Sequence, residues 1–427
     1  MLKKIWPYGI FVGFCLILTI WLMVFHHVAK NSPVSDGFNF TLYAHLYAVI
    51  NYDSLQFMHD AAQPEALLER TNIRQSRPGL ILLVAGLNKL AQPLRYPVDR
   101  LFRASGKEIQ EAYRLPYVLY IGLNYVFLLI AFWIYMQVLA QEAKLAMIGV
   151  VLLSSLFIFN DVIKAFLLTP HTQIFNLLAP LVCLYGFQGI QKGHLFDHKA
   201  MLFLAFLVGL GVTAYATFIL FLPAVFIALA WILIRDKIKI TKGLVLRSVG
   251  VIGLTILPFL AWMLYIYHMN GTFYQFEIER YHQFVWILPL LRSAPLYALK
   301  ALSGNFWNLA KSAAGQAVVL PVVFVGVCLV TSDRGHTLLQ RLSRIKLFPP
   351  AALIVSVLFL LFFAMDGLVV YRVAFSAVPP LVVGTAIVVN DLLGDATPLR
   401  RRLALGSVAI LVCLEWMLIL STVGPFA

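Results

Sequence analysis

The chain is dominated by apolar stretches that are long enough to cross a lipid bilayer. Hydrophobic residues make up 61% of its 427 positions and charged residues only 12%, too few charges to cover a water-soluble domain. A bilayer core about 30 Å thick requires about 17 to 25 apolar residues for each crossing. We therefore predict an all-α membrane protein with about eleven transmembrane helices. The predicted spans are Ile5–Val28, Leu115–Leu139, Leu145–Ile163, His171–Tyr185, Met201–Ala216, Thr217–Ile234, Ser248–His268, Ala313–Val330, Leu347–Ala364, Val373–Val389 and Leu403–Val423.

Short basic loops predict the orientation of these spans. Lys and Arg cluster at 192–199, 235–247, 334–346 and 400–402, and such loops face the cytoplasm. All of them do so if the N-terminus is cytoplasmic and the short apolar segment Pro78–Ala91, interrupted by Asn88 and Lys89, is interfacial or re-entrant. Residues 1–427 then form one transmembrane domain, with outer loops at 29–114 and 269–312.

The first outer loop is predicted to carry amphipathic interfacial helices. Phe38–Ile50 places Leu42, Leu46 and Val49 on one helical face, as expected for a helix on the membrane surface. Pro64 is predicted to open a second short helix that ends at Arg70. Arg95–Arg114 is predicted to be a third, strongly basic amphipathic stretch.

Charge and cysteine content argue against several kinds of partner. The net charge of +14 is explained by topology and by phosphate contacts, so no nucleic acid is expected. All four cysteines lie in apolar stretches, which predicts no disulfide, zinc site or thiol nucleophile. No cofactor is predicted, and a divalent cation is left open.

The first outer loop contains two candidate functional residues. Asp36 precedes the predicted helix, where the helix dipole would keep a carboxylate ionised and able to act as a base; the alternative is an ordinary helix N-cap. Arg77 stands at the entrance of the short apolar segment and could bind a phosphate. The alternative for Arg77 is simple snorkelling to the interface.

Further candidates lie near predicted helix ends. Ionisable groups at membrane depth are functional candidates, although some could simply pair with one another. Aromatic and charged residues after the seventh span could hold a phosphate or form an interfacial belt. These candidates are Asp161, Lys164, His171, His268, Glu277, Glu279, Arg280, Tyr281, His282, Asp366, Tyr371 and Arg372.

Taken together, these segments resemble the GT-C superfamily of membrane glycosyltransferases that use polyprenyl-phosphate sugars. The closest resemblance is to the branch of protein O-mannosyltransferases and the lipid A aminoarabinose transferase. The matching segments are Asp36 with Tyr43-Ala44, Arg77-Pro78, Gly209–Val212, Glu279–Phe284, Tyr371-Arg372 and Pro379-Pro380. The chain departs from that branch at Gly37, Thr169 and Tyr215.

The resemblance implies an inverting sugar transfer from a lipid phosphate to a lipid or glycan acceptor. Asp36 would be the base, and Arg77 with Arg280 or His282 would neutralise the departing phosphate. Other implied substrate contacts are Tyr43, Lys164, His171, His268, Glu279, Tyr371 and Arg372. The expected location is the bacterial inner membrane, with the site on the outer face. The alternatives are a transporter or flippase of a lipid-linked saccharide, a polysaccharide polymerase or ligase, and a non-catalytic descendant of the transferase fold.

Overall fold

A computed structural model describes residues 2–25, 37–43, 46–103, 110–140, 147–191, 199–237, 239–274, 280, 283–331, 349–394 and 396–421. Helices dominate these residues. In chain order the α-helices are α1 (Leu2–Phe25), α2 (Tyr52–Ala62), α3 (Pro78–Leu90), α4 (Arg95–Arg103), α5 (Glu111–Ala140), α6 (Met147–Ser154), α7 (Asp161–Phe166), α8 (Phe175–Gln191), α9 (Lys199–Ala214), α10 (Phe221–Arg235), α11 (Lys242–Asn270), α12 (Ile287–Ser293), α13 (Pro295–Gln316), α14 (Val319–Thr331), α15 (Pro350–Asp366), α16 (Tyr371–Ala374), α17 (Val378–Gly394) and α18 (Pro398–Ser421). Short 3-10 helices cover Pro64–Leu68, Ile73–Ser76, Gln92–Leu94, Ser155–Phe157, Thr172–Ile174, Ala216–Leu220 and Phe375–Ala377.

The chain is a multi-pass membrane protein. Seven helical segments among the described residues are long and apolar enough to cross a bilayer. They are Ile5–Phe25, Glu111–Ala140, Thr172–Gln191, Ala216–Arg235, Lys242–Asn270, Tyr371–Gly394 and Pro398–Ser421. Helices α13 and α14 would form an eighth span, bent by 53°. An apolar helix lies within each predicted span, but α6, α9 and α15 are shorter than a full crossing, so the count of eleven stays a prediction.

The predicted surface helix over Phe38–Ile50 is wrong. The chain instead forms an antiparallel hairpin of β1 (Gly37–Tyr43) and β2 (Leu46–Asn51), with Gly37 opposite Asn51. The strand sequence Gly-Phe-Asn-Phe-Thr-Leu-Tyr alternates apolar and polar residues, and its aromatic and β-branched content favours a strand.

The other predicted elements of the first loop are partly confirmed. The second short helix is a 3-10 helix over Pro64–Leu68. The basic stretch is helical in α4, residues 104–109 lie outside the described part, and α5 begins at Glu111. The short apolar segment Pro78–Ala91 is helix α3, with its N-terminus at Pro78.

Two helical segments form the centre of the bundle. Thr172–Gln191 and Tyr371–Gly394 are each 94% buried by the surrounding helices, whereas Lys242–Asn270 is only 17% buried and lies at the periphery. Because a central helix has no lipid-facing side, a polar residue at its end faces protein. His171 immediately precedes the first of these segments, and Arg372 lies in the first turn of the second.

Glycines allow close helix contacts beneath this end of the bundle. A Cβ added at Gly79 in α3 would clash with Thr213 Oγ1 and would lie 2.9 Å from the Ala214 nitrogen. A Cβ at Gly209 in α9 would lie 2.6 Å from the Leu254 carbonyl of α11. A larger residue at either position would therefore push two helices apart.

Candidate functional site

The centre of the site is a carboxylate at the start of α2. The side chain of Asn51 caps this helix by accepting from Ser54 N at 2.9 Å, which is the ordinary behaviour of an N-cap residue. Asp53 follows in the first turn, where the helix dipole favours a negative charge. Its Oδ1 is 2.6 Å from Arg74 Nη2, and its Oδ2 is 3.4 Å from His171 Nε2.

Both partners of Asp53 are buried, whereas Asp53 itself is open on one side. The side chains of Arg74 and Asp53 are 4% and 47% exposed, respectively. Arg74 lies over the ring of Phe57, with its guanidinium carbon 4.4 Å from the ring centroid. The ring of His171 packs between Phe57 and Phe166, at centroid distances of 5.5 and 4.9 Å. The site is therefore rigid below the carboxylate and accessible above it.

The surroundings keep Asp53 ionised. The hydrogen bond from His171 and the positive charges of Arg74 and Arg372 hold the pKa of Asp53 well below its usual range, and they outweigh the effect of its partial burial. Asp60, two turns further along α2, behaves differently because burial raises the pKa of its carboxyl, even though Asn72 Nδ2 donates to it at 3.1 Å.

Two more arginines belong to the same region: Arg372 acts on the carboxylate, and Arg77 is linked to it through Tyr215. The charge of Arg372 acts on both Asp53 and His171, and the charges of Arg77 and Arg372 both act on Tyr215. Arg372 Nε and His171 Nδ1 are buried and have no hydrogen-bond partner among the described residues. The cluster, which we call the Asp53 cluster, consists of Asp53, Arg74, Arg77, His171, Tyr215 and Arg372.

A buried amide links Arg372 to the central helices. Asn176 Nδ2 donates to the Arg372 carbonyl at 3.2 Å, and Asn176 Oδ1 accepts from Tyr215 Oη at 2.8 Å and from Ser376 Oγ at 3.0 Å. Because Asn176 is fully buried, losing any of these bonds would leave an unsatisfied polar group. Asn176 therefore fixes the backbone of Arg372 relative to Tyr215.

The loop that carries Arg74 and Arg77 is fastened to the end of α11. Trp262 Nε1 donates to the Gln75 carbonyl at 2.8 Å, and Asn270 Nδ2 donates to the Leu68 carbonyl at 3.0 Å. Arg70 Nη2 and Tyr274 Oη add bonds of 2.8 and 3.1 Å between the same two regions. These contacts join segments about 200 residues apart in sequence.

The Asp53 cluster and the basic helix termini lie at opposite ends of the bundle. Helix α10 starts near Tyr215 and ends at Arg235, and α11 starts at Lys242 and ends at Asn270, beside the first loop. Likewise, Arg372 opens a central segment whose far end precedes the triplet beginning at Arg400.

A second ion cluster involves Asp161, Lys164 and Tyr371. Lys164 Nζ lies 2.9 Å from Asp161 Oδ1 and donates to the Ile419 carbonyl at 2.7 Å. Tyr371 Oη donates to Asp161 Oδ2 at 3.0 Å. The side chain of Lys164 is fully buried and that of Asp161 is 23% exposed. This arrangement confirms that Asp161 and Lys164 pair with each other, and it ties α7 to α18.

The predicted site residues fall into three groups. Arg77, His171 and Arg372 are part of the Asp53 cluster, whereas Lys164 and Tyr371 belong to the second cluster. His268 and Arg280 are exposed, and their predicted role is untested. Asp36, Glu277, Glu279, Tyr281, His282 and the side chain of Tyr43 lie outside the described residues, so their predicted roles stay predictions.

Asp53, Arg74 and Asn176 were not predicted from the sequence. The run Asn51-Tyr52-Asp53-Ser54 carries a signal that could have found the first of them, because Asn at the N-cap and Ser three residues later mark a helix start. Arg74 and Asn176 carry no such local signal. No cluster of three or more His, Cys, Asp or Glu suited to a metal occurs within the described part of the chain.

Comparison with known proteins adds no relative. No family model, no curated protein and no solved structure matches this chain.

Proposed function

We propose that this protein is a membrane glycosyltransferase that moves a sugar from a polyprenyl-phosphate carrier to a lipid or glycan acceptor. The observation that carries the proposal is the Asp53 cluster: a half-exposed, ionised carboxylate held by a buried arginine and a buried histidine, with the charge of Arg372 acting on it. The resemblance to the GT-C superfamily noted in the sequence supports the same class of reaction.

The chemistry requires one carboxylate and at least one cation. In an inverting transfer the acceptor oxygen forms a bond to the anomeric carbon while the bond from that carbon to the phosphate oxygen breaks. The electron pair of the broken bond stays on the lipid phosphate, whose added charge needs compensation. The acceptor proton passes to a carboxylate on the opposite face of the sugar.

Asp53 is the described residue that fits the role of that carboxylate. Its Oδ atoms are oriented by Arg74 and His171, its lowered pKa keeps it ionised, and its exposed side is open to an acceptor hydroxyl. We assign phosphate compensation to Arg372, whose charge acts on Asp53, and to Arg77, as the resemblance in the sequence implies. The buried, unsatisfied Arg372 Nε is a donor suited to a phosphate oxygen.

The basic helix termini support an orientation for this site. Arg235, Lys242 and Arg401 lie at the bundle end opposite Asp53. Positively charged termini remain cytoplasmic, so the Asp53 cluster would face the outer side of a bacterial inner membrane.

The test is a direct assay of donor breakdown. Purified protein is incubated with a panel of polyprenyl-phosphate sugars and a mixture of candidate acceptors, and release of the lipid phosphate is measured. Wild type should release it from at least one donor, and Asp53→Asn should not. Asp236→Asn is the matched control, because Asp236 is an exposed carboxylate paired with Arg235 far from the site, and it should retain wild-type release.

A second variant protects the test against a folding defect. Asp53→Glu keeps the charge beside Arg74 but moves the carboxylate by one methylene, so it should fold and still lose most transfer. Wild-type release by Asp53→Asn, or translocation of an intact lipid-linked saccharide without its cleavage, would refute the proposal.

A further inference from the structure

A cleft of about 260 Å³ lies at the opposite end of α2 from Asp53. It is formed where the end of α3, the start of α4 and the start of α5 meet the end of α2. Its buried lining is apolar and includes Ala61, Ala85 and Leu115. Its rim is polar, with Asn88, Lys89, Gln92, Arg95 and Glu111.

The rim carries a net charge of +1. Lys89 and Arg95 contribute two positive charges and Glu111 one negative charge. Arg95 Nη2 and Glu111 Oε1 are 3.9 Å apart, with side chains 45% and 52% exposed, so their attraction is weak and solvated. Arg95 Nε is also 3.7 Å from Asp99 Oδ2, but Asp99 is shared with Arg114, whose Nη1 lies 3.6 Å from Asp99 Oδ1, so the local charge stays at +1. A monoanion between Lys89 and Arg95 would therefore be favoured. The amides of Asn88 and Gln92 supply hydrogen-bonding groups for hydroxyls beside it.

The cleft lies at the depth of lipid headgroups. Glu111 and Ala112 line it and are the first two residues of the candidate span Glu111–Ala140. Leu90, Leu94 and Tyr96, adjacent to the rim in sequence, are 80%, 57% and 75% exposed. Exposed leucine and tyrosine beside basic residues are typical of a segment inserted at the membrane interface.

We propose that this cleft binds the headgroup of an anionic glycerophospholipid, a phosphodiester that bears free hydroxyls. Lys89 and Arg95 bind the phosphate, and Asn88 and Gln92 bind the headgroup hydroxyls. The acyl chains leave along the exposed Leu90 and Leu94. This inference does not depend on the transferase activity, because the Asp53 cluster is at the other end of α2.

The purified full-length protein in detergent is titrated with short-chain phosphatidylglycerol and, separately, with phosphatidylcholine that has the same acyl chains. Native mass spectrometry counts the lipid molecules bound to each protein. Phosphatidylglycerol should bind at least about tenfold more tightly. One basic residue near an anionic lipid is worth about a fivefold change in affinity, so the double variant K89Q/R95Q should weaken phosphatidylglycerol binding about 30-fold.

The matched control is the double variant R292Q/K300Q, which removes two exposed cations from α12 and α13 and should leave the affinity unchanged. If K89Q/R95Q does not fold, the single variant K89Q at an exposed position should still weaken binding about fivefold. Equal binding of the two lipids, or an equal loss in the control variant, would overturn the proposal. Glycerophosphoglycerol, which has no acyl chains, should bind far more weakly than the lipid, and equal affinity would make the site one for a soluble anion.

Discussion

Each of two ion clusters in this protein holds an aspartate against a buried basic side chain, but the two aspartates differ in how far they are exposed. In the Asp53 cluster the partners Arg74 and His171 are buried and the carboxylate is 47% exposed. In the cluster of Asp161, Lys164 and Tyr371 the cation is fully buried, and its donors go to Asp161 and to a backbone carbonyl of α18. A buried cation bonded to groups on two helices fastens those helices together, whereas a half-exposed carboxylate held by buried donors offers its free side to another molecule.

The sharpest test of this contrast exchanges the two carboxylates for amides. Asp53→Asn should lower transfer about 1,000-fold, the scale of a lost general base, whereas Asp161→Asn should lower thermal stability and leave the transfer rate per folded molecule near wild type. Rates are measured with a saturating donor and normalised to folded protein. A loss of transfer in Asp161→Asn equal to that in Asp53→Asn would break the contrast.

Replacing Arg372, whose Nε has no hydrogen-bond partner among the described residues, should have the next largest effect on transfer. Arg372→Gln removes the charge assigned to the departing phosphate while Asn176 still holds the backbone, and we expect transfer to fall about 100-fold. The rate constant for a single turnover separates this effect from weaker donor binding. Arg401→Gln, at the other end of the bundle, is the matched control and should leave the rate unchanged.

Removing the cation from the cluster of Asp161, Lys164 and Tyr371 should lower the stability of the protein. Lys164→Met leaves Asp161 without its cation and should lower the free energy of unfolding by about 2 kcal/mol, less than for a fully buried pair because Asp161 is partly exposed. Thermal unfolding in detergent measures this change. The double variant D161N/K164M should recover part of the loss; a further loss in the double variant would contradict the pairing.

Adding one methyl group where α3 packs against α9 should lower the stability of the protein. Gly79→Ala places a Cβ against Thr213 and the Ala214 backbone, which should cost about 1 to 2 kcal/mol of stability and displace Arg77. Gly86→Ala in the same helix is the matched control, since a Cβ there meets nothing within 4 Å. Both variants are compared by thermal unfolding, and equal stability would show that α3 is free to shift.

The smallest expected effect is a pH dependence from Asp53. Its pKa is lowered in the folded protein, so its contribution to stability is present above its unfolded value, about 3.9, and is lost as the pH falls through the lower folded value. The difference in unfolding temperature between wild type and Asp53→Asn should therefore be constant from pH 8 to pH 5 and shrink below about pH 4. A difference that vanishes already near pH 6 would contradict the lowered pKa.

Hydropathy predicted the helical plan of this protein well because lipid imposes a simple rule on length and polarity. The hairpin at Gly37–Asn51 was missed because its apolar residues fit a helical face as well as an alternating strand, and loop residues outside the bilayer core escape that rule. Sequence reasoning identified Arg77, His171 and Arg372 because ionisable groups at the helix ends of a membrane protein are functional candidates. Their meeting with Asp53 was not predictable, since Asp53 and His171 are 118 residues apart in sequence.

The four bonds between the first loop and the end of α11 have a consequence for biosynthesis. Arg74 and Arg77 leave the ribosome early, but Asn270 and Tyr274, which fasten their loop, follow about 200 residues later, and Arg372 comes later still. A nascent chain with only its first helices inserted therefore holds the early part of the site without its supports. The Asp53 cluster is therefore complete only when most of the membrane helices have been synthesised and inserted.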